Sequence, residues 1–222
     1  MTEHGKSPRL RYDDGCLAAH ALNLIGDRWA LLVVRELMFA PKRFQMVRAG
    51  LSGITASVLT GRLGQLREAG VIAHDERLGL YSLTPMGRGL LPVLEALCEW
   101  ALITPGHDPR RFISPSALMI SMGVNLRRDR PPGTELRGGF DFGSEAFEAR
   151  ISDSGLRVDA VQQPNAPFIL TGTGNALAFT VYGQTPLSEM ISQGTAQASG
   201  DLIAAQLFID LFSIARDPAR IG

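Results

Sequence analysis

The sequence predicts an α+β protein in two parts, a mostly helical first half and a second half built on a mainly antiparallel sheet. Three observations carry this reading. Residues 16–103 hold apolar residues at helical spacing, broken by one alternating run from Val71 to Leu83. The stretch T-P-G-H-D-P-R-R at 104–111 is proline-rich, charged and without periodicity, and marks a domain boundary. Beyond it, alternating runs separated by glycine replace the helical pattern. The expected organisation is a flexible lead-in at 1–15, a first domain at 16–103, a linker at 104–111 and a second domain at 112–222.

Composition bounds the functional classes. Among 222 residues, 22 Lys+Arg balance 22 Asp+Glu, which argues against a protein that coats nucleic acid over its whole surface. No apolar run approaches the roughly 18 residues that span a membrane, and M-T-E-H-G-K-S-P-R-L lacks the features of a secretion signal. A cytoplasmic location and no membrane partner are therefore expected. Cys16 and Cys98 are too few and too distant for a disulfide framework or zinc site, and His4, His20, His74 and His107 lack metal-ligand spacing. No metal, cofactor or catalytic set is expected, and so no enzyme.

In order along the chain, Leu17, Ala21, Leu24 and Ile25 make one face of a first helix that stops at Gly26. Asp27 then caps a second, almost wholly apolar helix, W-A-L-L-V-V-R-E-L-M-F, the expected centre of the first domain, ended by Pro41. Phe44, Val47 and Leu51 define a third helix. Breakers at Ala49-Gly50 and Ser52-Gly53 follow, and Thr55 is a natural N-cap for a fourth helix whose core stripe is Leu59, Leu63 and Leu66. Val71 to Leu83 reads as a β-hairpin. Thr84-Pro85 opens a strongly apolar helix from Met86 to about Ile103. The order of these elements is that of a winged helix.

The third and fourth helices read as a helix-turn-helix. Between Glu36 and Glu68 the chain carries Lys42, Arg43, Arg48, Arg62 and Arg67 and no acid. The outer face of the fourth helix is small and polar, with Ser57, Thr60, Gly61 and Gly64. Such a helix suits the DNA major groove, with hydroxyls at base edges and arginines on phosphates.

The runs C-L-A-A-H-A-L-N-L-I-G-D-R-W-A-L-L-V-V-R-E-L, G-I-T-A-S-V-L-T-G-R-L-G-Q-L-R-E-A-G-V-I and L-T-P-M-G-R-G-L-L-P-V-L-E-A-L-C-E-W-A occur in that order and resemble HxlR-type winged-helix transcriptional regulators. The resemblance covers about residues 16–102. It implies a homodimer, formed by the first helix and residues 86–103, that binds double-stranded operator DNA. It also implies that Thr55, Ala56, Ser57, Thr60, Gly61 and Arg62 open the recognition helix, and that Lys42 and Arg43 are the basic pair before the third helix. With Arg48, Arg67 and the hairpin's Arg77 these are the expected DNA contacts. An intramolecular salt bridge is an alternative for Arg62, which projects beside Leu59 and Leu66. The sequence departs from the family pattern at Gly61 and Gly64, each costing about 1 kcal/mol of helix propensity relative to alanine. It departs again in a short wing whose Asp75-Glu76 pair is acidic.

In the second half, a helix is expected from Phe112 to Asn125, entered through Ser114-Pro115. Three alternating runs, a fourth strand at P-F-I-L-T, two short helices, a strand at T-A-Q-A-S-G-D and a closing helix from Leu202 to Ala215 follow. The segment G-N-A-L-A-F-T-V-Y-G-Q-T-P-L-S-E-M-I-S-Q-G-T-A-Q-A-S-G-D is similar to the sterol-carrier-protein-type fold. That resemblance implies a curved sheet and helices around an apolar tunnel for a lipid-like molecule, drawn from Phe140, Phe142, Phe147, Phe168, Leu177, Phe179, Met190, Phe208 and Phe212. Each of these positions also reads as plain core. Thr171-Gly-Thr-Gly lacks the third glycine of a nucleotide loop and reads as a turn.

The expected function is thus a sequence-specific regulator whose second domain senses a small apolar ligand. Two alternatives stand beside it: a redox or electrophile sensor through Cys16, which lies near the start of the first helix, and a lipid carrier that uses the winged helix only to dimerise.

Overall fold

The structure, a computed structural model, describes residues 11–214. Residues 1–10, most of the expected lead-in, and Ala215, the expected end of the closing helix, lie outside them. At Tyr12 the chain is already tied down, its N–H and C=O bonded to the Asn23 side chain at 2.8 and 3.0 Å.

The first domain opens with α1 (Leu17–Ile25) and α2 (Ala30–Glu36). Asp27 does not cap α2 with its side chain as expected. The turn forms instead from its backbone, with Ala30 N–H on Asp27 O at 2.9 Å, and the carboxylate pairs with Arg62. Strand β1 (Lys42–Arg43), α3 (Phe44–Ala49) and α4 (Ala56–Glu68) follow, with the Thr55 hydroxyl accepting from Val58 N–H as an N-cap. The hairpin β2 (Ile72–Asp75) and β3 (Leu80–Leu83) completes a three-stranded sheet in the order β1-β3-β2. This is the winged helix that the order of elements predicts.

The single helix expected from Met86 to Ile103 is two, α5 (Pro85–Arg88) and α6 (Leu91–Leu102). The break has two local causes. Gly89 closes α5, and Pro92, which has no N–H to donate, sits in the first turn of a new helix. Gly87 also lies so close to the Val71 carbonyl that a Cβ there would stand 2.1 Å from the oxygen, so α5 packs directly on the hairpin.

The second domain begins at α7 (Pro115–Asn125), N-capped by Ser114. Strands β4 (Leu136–Asp141), β5 (Ala146–Ser152) and β6 (Gly155–Val161) form an antiparallel meander. Strand β7 (Phe168–Thr171) then returns parallel to β4, and β8 (Gln197–Gly200) pairs antiparallel to β7, giving the order β6-β5-β4-β7-β8. Between β7 and β8 lie α8 (Gly174–Tyr182) and α9 (Leu187–Ser192), and α10 (Leu202–Ile209) closes the domain, ending short of the expected Ala215 because the chain leaves the helix for Phe212 to bridge Leu126. The Thr171-Gly-Thr-Gly stretch is the turn it reads as, for Thr173 caps α8 and Gly174 rests against the Ile113 carbonyl.

Each domain has its own apolar core, and each lends a residue to the other. Phe39, from the segment after α2, packs against the second core and meets Phe147 edge-on at 5.7 Å. Ile120 of α7 joins the first core. The expected boundary at 104–111 is therefore a boundary in the chain but not a gap in the packing.

Candidate nucleic-acid interface

Strand geometry divides the basic pair at 42–43. Successive side chains on a strand point to opposite faces, so β1 can present only one of Lys42 and Arg43 to solvent. Arg43 is exposed, while Lys42 is 1% exposed. The expectation that Lys42 contacts DNA is corrected accordingly. Its ammonium donates to Ser116 Oγ at 3.0 Å and lies 2.6 Å from Glu145 Oε2 and 3.5 Å from Glu36 Oε2. Glu36 is itself fully buried, and its Oε1 accepts from Ser114 Oγ at 2.6 Å and Arg35 Nε at 2.9 Å. The cluster joins α2 and β1 of the first domain to the N-terminus of α7 and the β4–β5 turn of the second. Charges taken this far from water persist only when paired and hydrogen-bonded, and two carboxylates against two cations meet that condition.

Helix α4 buries Leu59, Leu63 and Leu66 and turns the opposite side outward. Thr55, Ala56, Ser57, Thr60 and Gly61 are all exposed. Side chains added at Gly61 or Gly64 would meet nothing within 4 Å, so the two glycines leave an uncovered strip of backbone. The Thr55 and Ser57 hydroxyls lie 3.2 Å apart, and Thr60 Oγ1 donates to Ala56 O at 2.9 Å, keeping its lone pairs outward. Arg43, Arg48 and Arg67 are exposed, as is Arg77 in the hairpin turn. Arg62 takes the alternative reading, pairing with Asp27 and with the Gln65 side chain. Asp75 Oδ1 accepts from Leu78 N–H at 3.0 Å, so one acid of the wing serves its own turn.

The helix-turn-helix is what related chains share. A family model described as HxlR-like helix-turn-helix matches residues 24–105. An HTH-type transcriptional regulator from Synechocystis sp. is 32% identical over 126 residues, covering 49% of this chain and 93% of the relative. The chain belongs to the HxlR-like family. YvaP of Bacillus subtilis, also named an HTH-type transcriptional regulator, is 34% identical over 95 residues, covering 40% of this chain and 85% of its own. Among solved structures, quinone-bound YodB from B. subtilis is 30% identical over 38% of this chain and 93% of that one, with a TM-score of 0.36. As an HxlR-like protein the chain is a transcriptional regulator with a helix-turn-helix DNA-binding domain.

Away from α4, α1 and α6 expose large apolar side chains. Leu17 is 85% and Trp100 61% exposed, and Leu22, Val93, Leu97 and Ile103 are exposed as well. Cys16, just before α1, is exposed, and the N–H groups of Ala19 and then Ala18 hold its thiol below the ordinary thiol range. Cys98 on α6 moves the other way, its pKa raised chiefly by burial. No cluster of three or more metal-ligating side chains occurs among the described residues. No single helix among them is long and apolar enough to cross a membrane.

Eight of the nine residues expected to line an apolar tunnel instead fill or pack against a core. Phe140, Phe147, Phe168, Leu177, Met190, Phe208 and Phe212 are buried together, with Phe142 packed against them. The Phe208 ring stands 5.4 to 6.0 Å from those of Phe168, Phe212 and Phe140. Phe179 faces solvent at 55% exposure. None of the nine borders either a cleft of about 250 Å³ between the domains or an open hollow of about 460 Å³ beside α9. Side chains alternating at strand spacing interdigitate at near-crystal density unless something holds them apart.

Proposed function

We propose that the protein is a homodimeric regulator of the cytoplasm, without enzymatic activity, that reads operator DNA through the outer face of α4. Ser57 and Thr60 meet base edges, with Thr55, Ala56 and Gly61 close against the groove, and Arg43, Arg48, Arg67 and Arg77 hold phosphates. The observation that carries the reading is the exposed, hydroxyl-bearing face of α4, together with exposed arginines on β1, α3, α4 and the hairpin turn. Dimerisation through α1 and α6 is supported by their exposed apolar residues, whose joint burial matches the usual role of such patches.

The second domain is proposed as the sensor. Its strand order, with two helices between β7 and β8, supports the sterol-carrier-like reading of its topology. A second trigger is favoured by one observation, the exposed Cys16 thiol with its lowered pKa. If Cys16 is a redox switch, Cys16→Ser abolishes the response of DNA binding to peroxide. An unchanged response removes that reading.

Alanine substitutions test the DNA face. Arg67→Ala should weaken specific and non-specific duplexes alike and reduce the salt slope by about 0.9 for each phosphate that the arginine neutralises. Ser57→Ala should weaken the operator alone. If both variants bind operator as the parent does, α4 is not the reading helix.

A further inference from the structure

The cleft between the domains has walls from three elements and, at its half-buried edge, one carboxylate without a protein partner among the described residues. Leu91 and Glu95 of α6, one helical turn apart, face Met119 and Gly123 of α7, while Leu156 and Val158 of β6 form the third side and Phe39 an end wall. Two charged groups line it. Arg157 is engaged, its Nε and Nη2 bonded to the two Asp159 carboxylate oxygens at 3.1 Å. Glu99, the acid next along α6, is paired with Arg128 at 3.2 Å. Glu95 has no hydrogen bond or ion pair to another described residue, and its Oε1 lies 3.8 Å from where a Cβ at Gly123 would stand. Partial burial, and then the Glu99 carboxylate, push its pKa up, and a cation seated beside it would favour the ionised form.

We propose that this cleft is a binding site for a small apolar cation, with its ammonium on Glu95 and its hydrocarbon body against Phe39, Leu91, Met119 and Val158. The volume of about 250 Å³ lies just below the 300–1,000 Å³ of ordinary ligand pockets, which fits a compact arylalkylamine rather than a lipid. The site also reaches the segment that leads into the helix-turn-helix. Phe39 lies three residues before Lys42, and Lys42 precedes the exposed Arg43 at the start of α3. A ligand that moves Phe39 bears on a segment that joins the buried charge cluster to the start of α3. This coupling rests on reading the second domain as a sensor.

The test is calorimetry of the full chain with phenylbutylamine, and with phenylbutanol and phenylbutyrate as neutral and anionic counterparts. The amine should bind saturably below about 1 mM, at least about tenfold more tightly than the alcohol, with the carboxylate weakest. Glu95→Gln should bring the amine within about twofold of the alcohol, and Gly123→Leu, which fills the cleft, should abolish binding of both. Gly123→Ala, whose methyl makes only ordinary contact, should keep the fold and the binding and so guards against a folding artefact. No saturable amine binding, equal binding of the carboxylate, or an undiminished amine preference in Glu95→Gln overturns the site. Anisotropy on operator DNA with the same samples separates the two claims. Amine binding that leaves operator affinity within about twofold overturns the sensor role while the site stands, and absence of DNA binding with or without amine refutes the regulator reading alone.

Discussion

Replacing Lys42 by alanine discriminates most sharply between the surface that the sequence implies and the interior that the fold creates. The ammonium is 1% exposed and serves Glu145 at 2.6 Å, Ser116 at 3.0 Å and Glu36 at 3.5 Å. Removing it leaves Glu36, fully buried, and Glu145 without their shared cation. Breaking a buried pair from one side costs about 3–5 kcal/mol. Arg35 stays on Glu36 at 2.8 Å, which places the expected loss near the lower end, about 3 kcal/mol. That is a large share of the roughly 5–15 kcal/mol by which domains are stable. Glu145→Gln should cost less, about 1–3 kcal/mol, because the amide still accepts a hydrogen bond and the group is partly solvated. Urea unfolding followed by tryptophan fluorescence reads this directly, since Trp29 and Trp100 both lie in the first domain. The salt dependence of DNA binding should stay at the parent slope wherever Lys42→Ala is folded. A parent-like urea midpoint together with a slope reduced by about 0.9 would refute the reasoning and return Lys42 to the DNA surface.

Other consequences follow from the same structure. Gly50→Ala places a Cβ 2.1 Å from Glu36 Oε2, inside the buried cluster, and should cost about 1–3 kcal/mol in urea unfolding. The Tyr182 hydroxyl is buried and hydrogen-bonded with Ser121 Oγ at 2.8 Å, and burial raises its pKa above the ordinary 10.0. Above that ordinary value the unfolded chain loses the proton first, so stability should fall as pH rises past about 10, and Tyr182→Phe should remove that part of the decline. Leu97→Glu or Trp100→Glu should convert a dimer to monomer in analytical ultracentrifugation without unfolding the chain, since both side chains are exposed on α6.

What the sequence revealed depended on whether local chemistry decided the outcome. Thr55, Thr84 and Ser114 each cap the helix that follows them, because a short hydroxyl before an apolar run has few competing uses. The strands and helices of the second half fall in their expected order for the same reason, with glycine and proline between alternating runs. Outcomes set by tertiary partners were less legible. Asp27 looks like a cap but answers Arg62, which is distant in sequence. Lys42 looks like half of a basic patch, and its partners Ser116 and Glu145 come from the other domain. The alternation of a strand was the available clue, since it forces neighbours 42 and 43 apart. The aromatic residues of the second domain illustrate the opposite difficulty: tunnel wall and packed core demand the same apolar spacing, and only the ring contacts around Phe208 distinguish them. The cleft at Glu95 was invisible because it is assembled from α6, α7 and β6, segments spread across both halves of the chain.

The central claim is that α4 reads a specific DNA sequence. Fluorescence anisotropy of the full chain at near-physiological salt, with a duplex from its own upstream region and a scrambled duplex of equal length, tests it directly. The account predicts an operator Kd of about 10⁻⁸ M or tighter and at least a thousandfold preference over the scrambled duplex. Equal micromolar affinity for the two duplexes would contradict it.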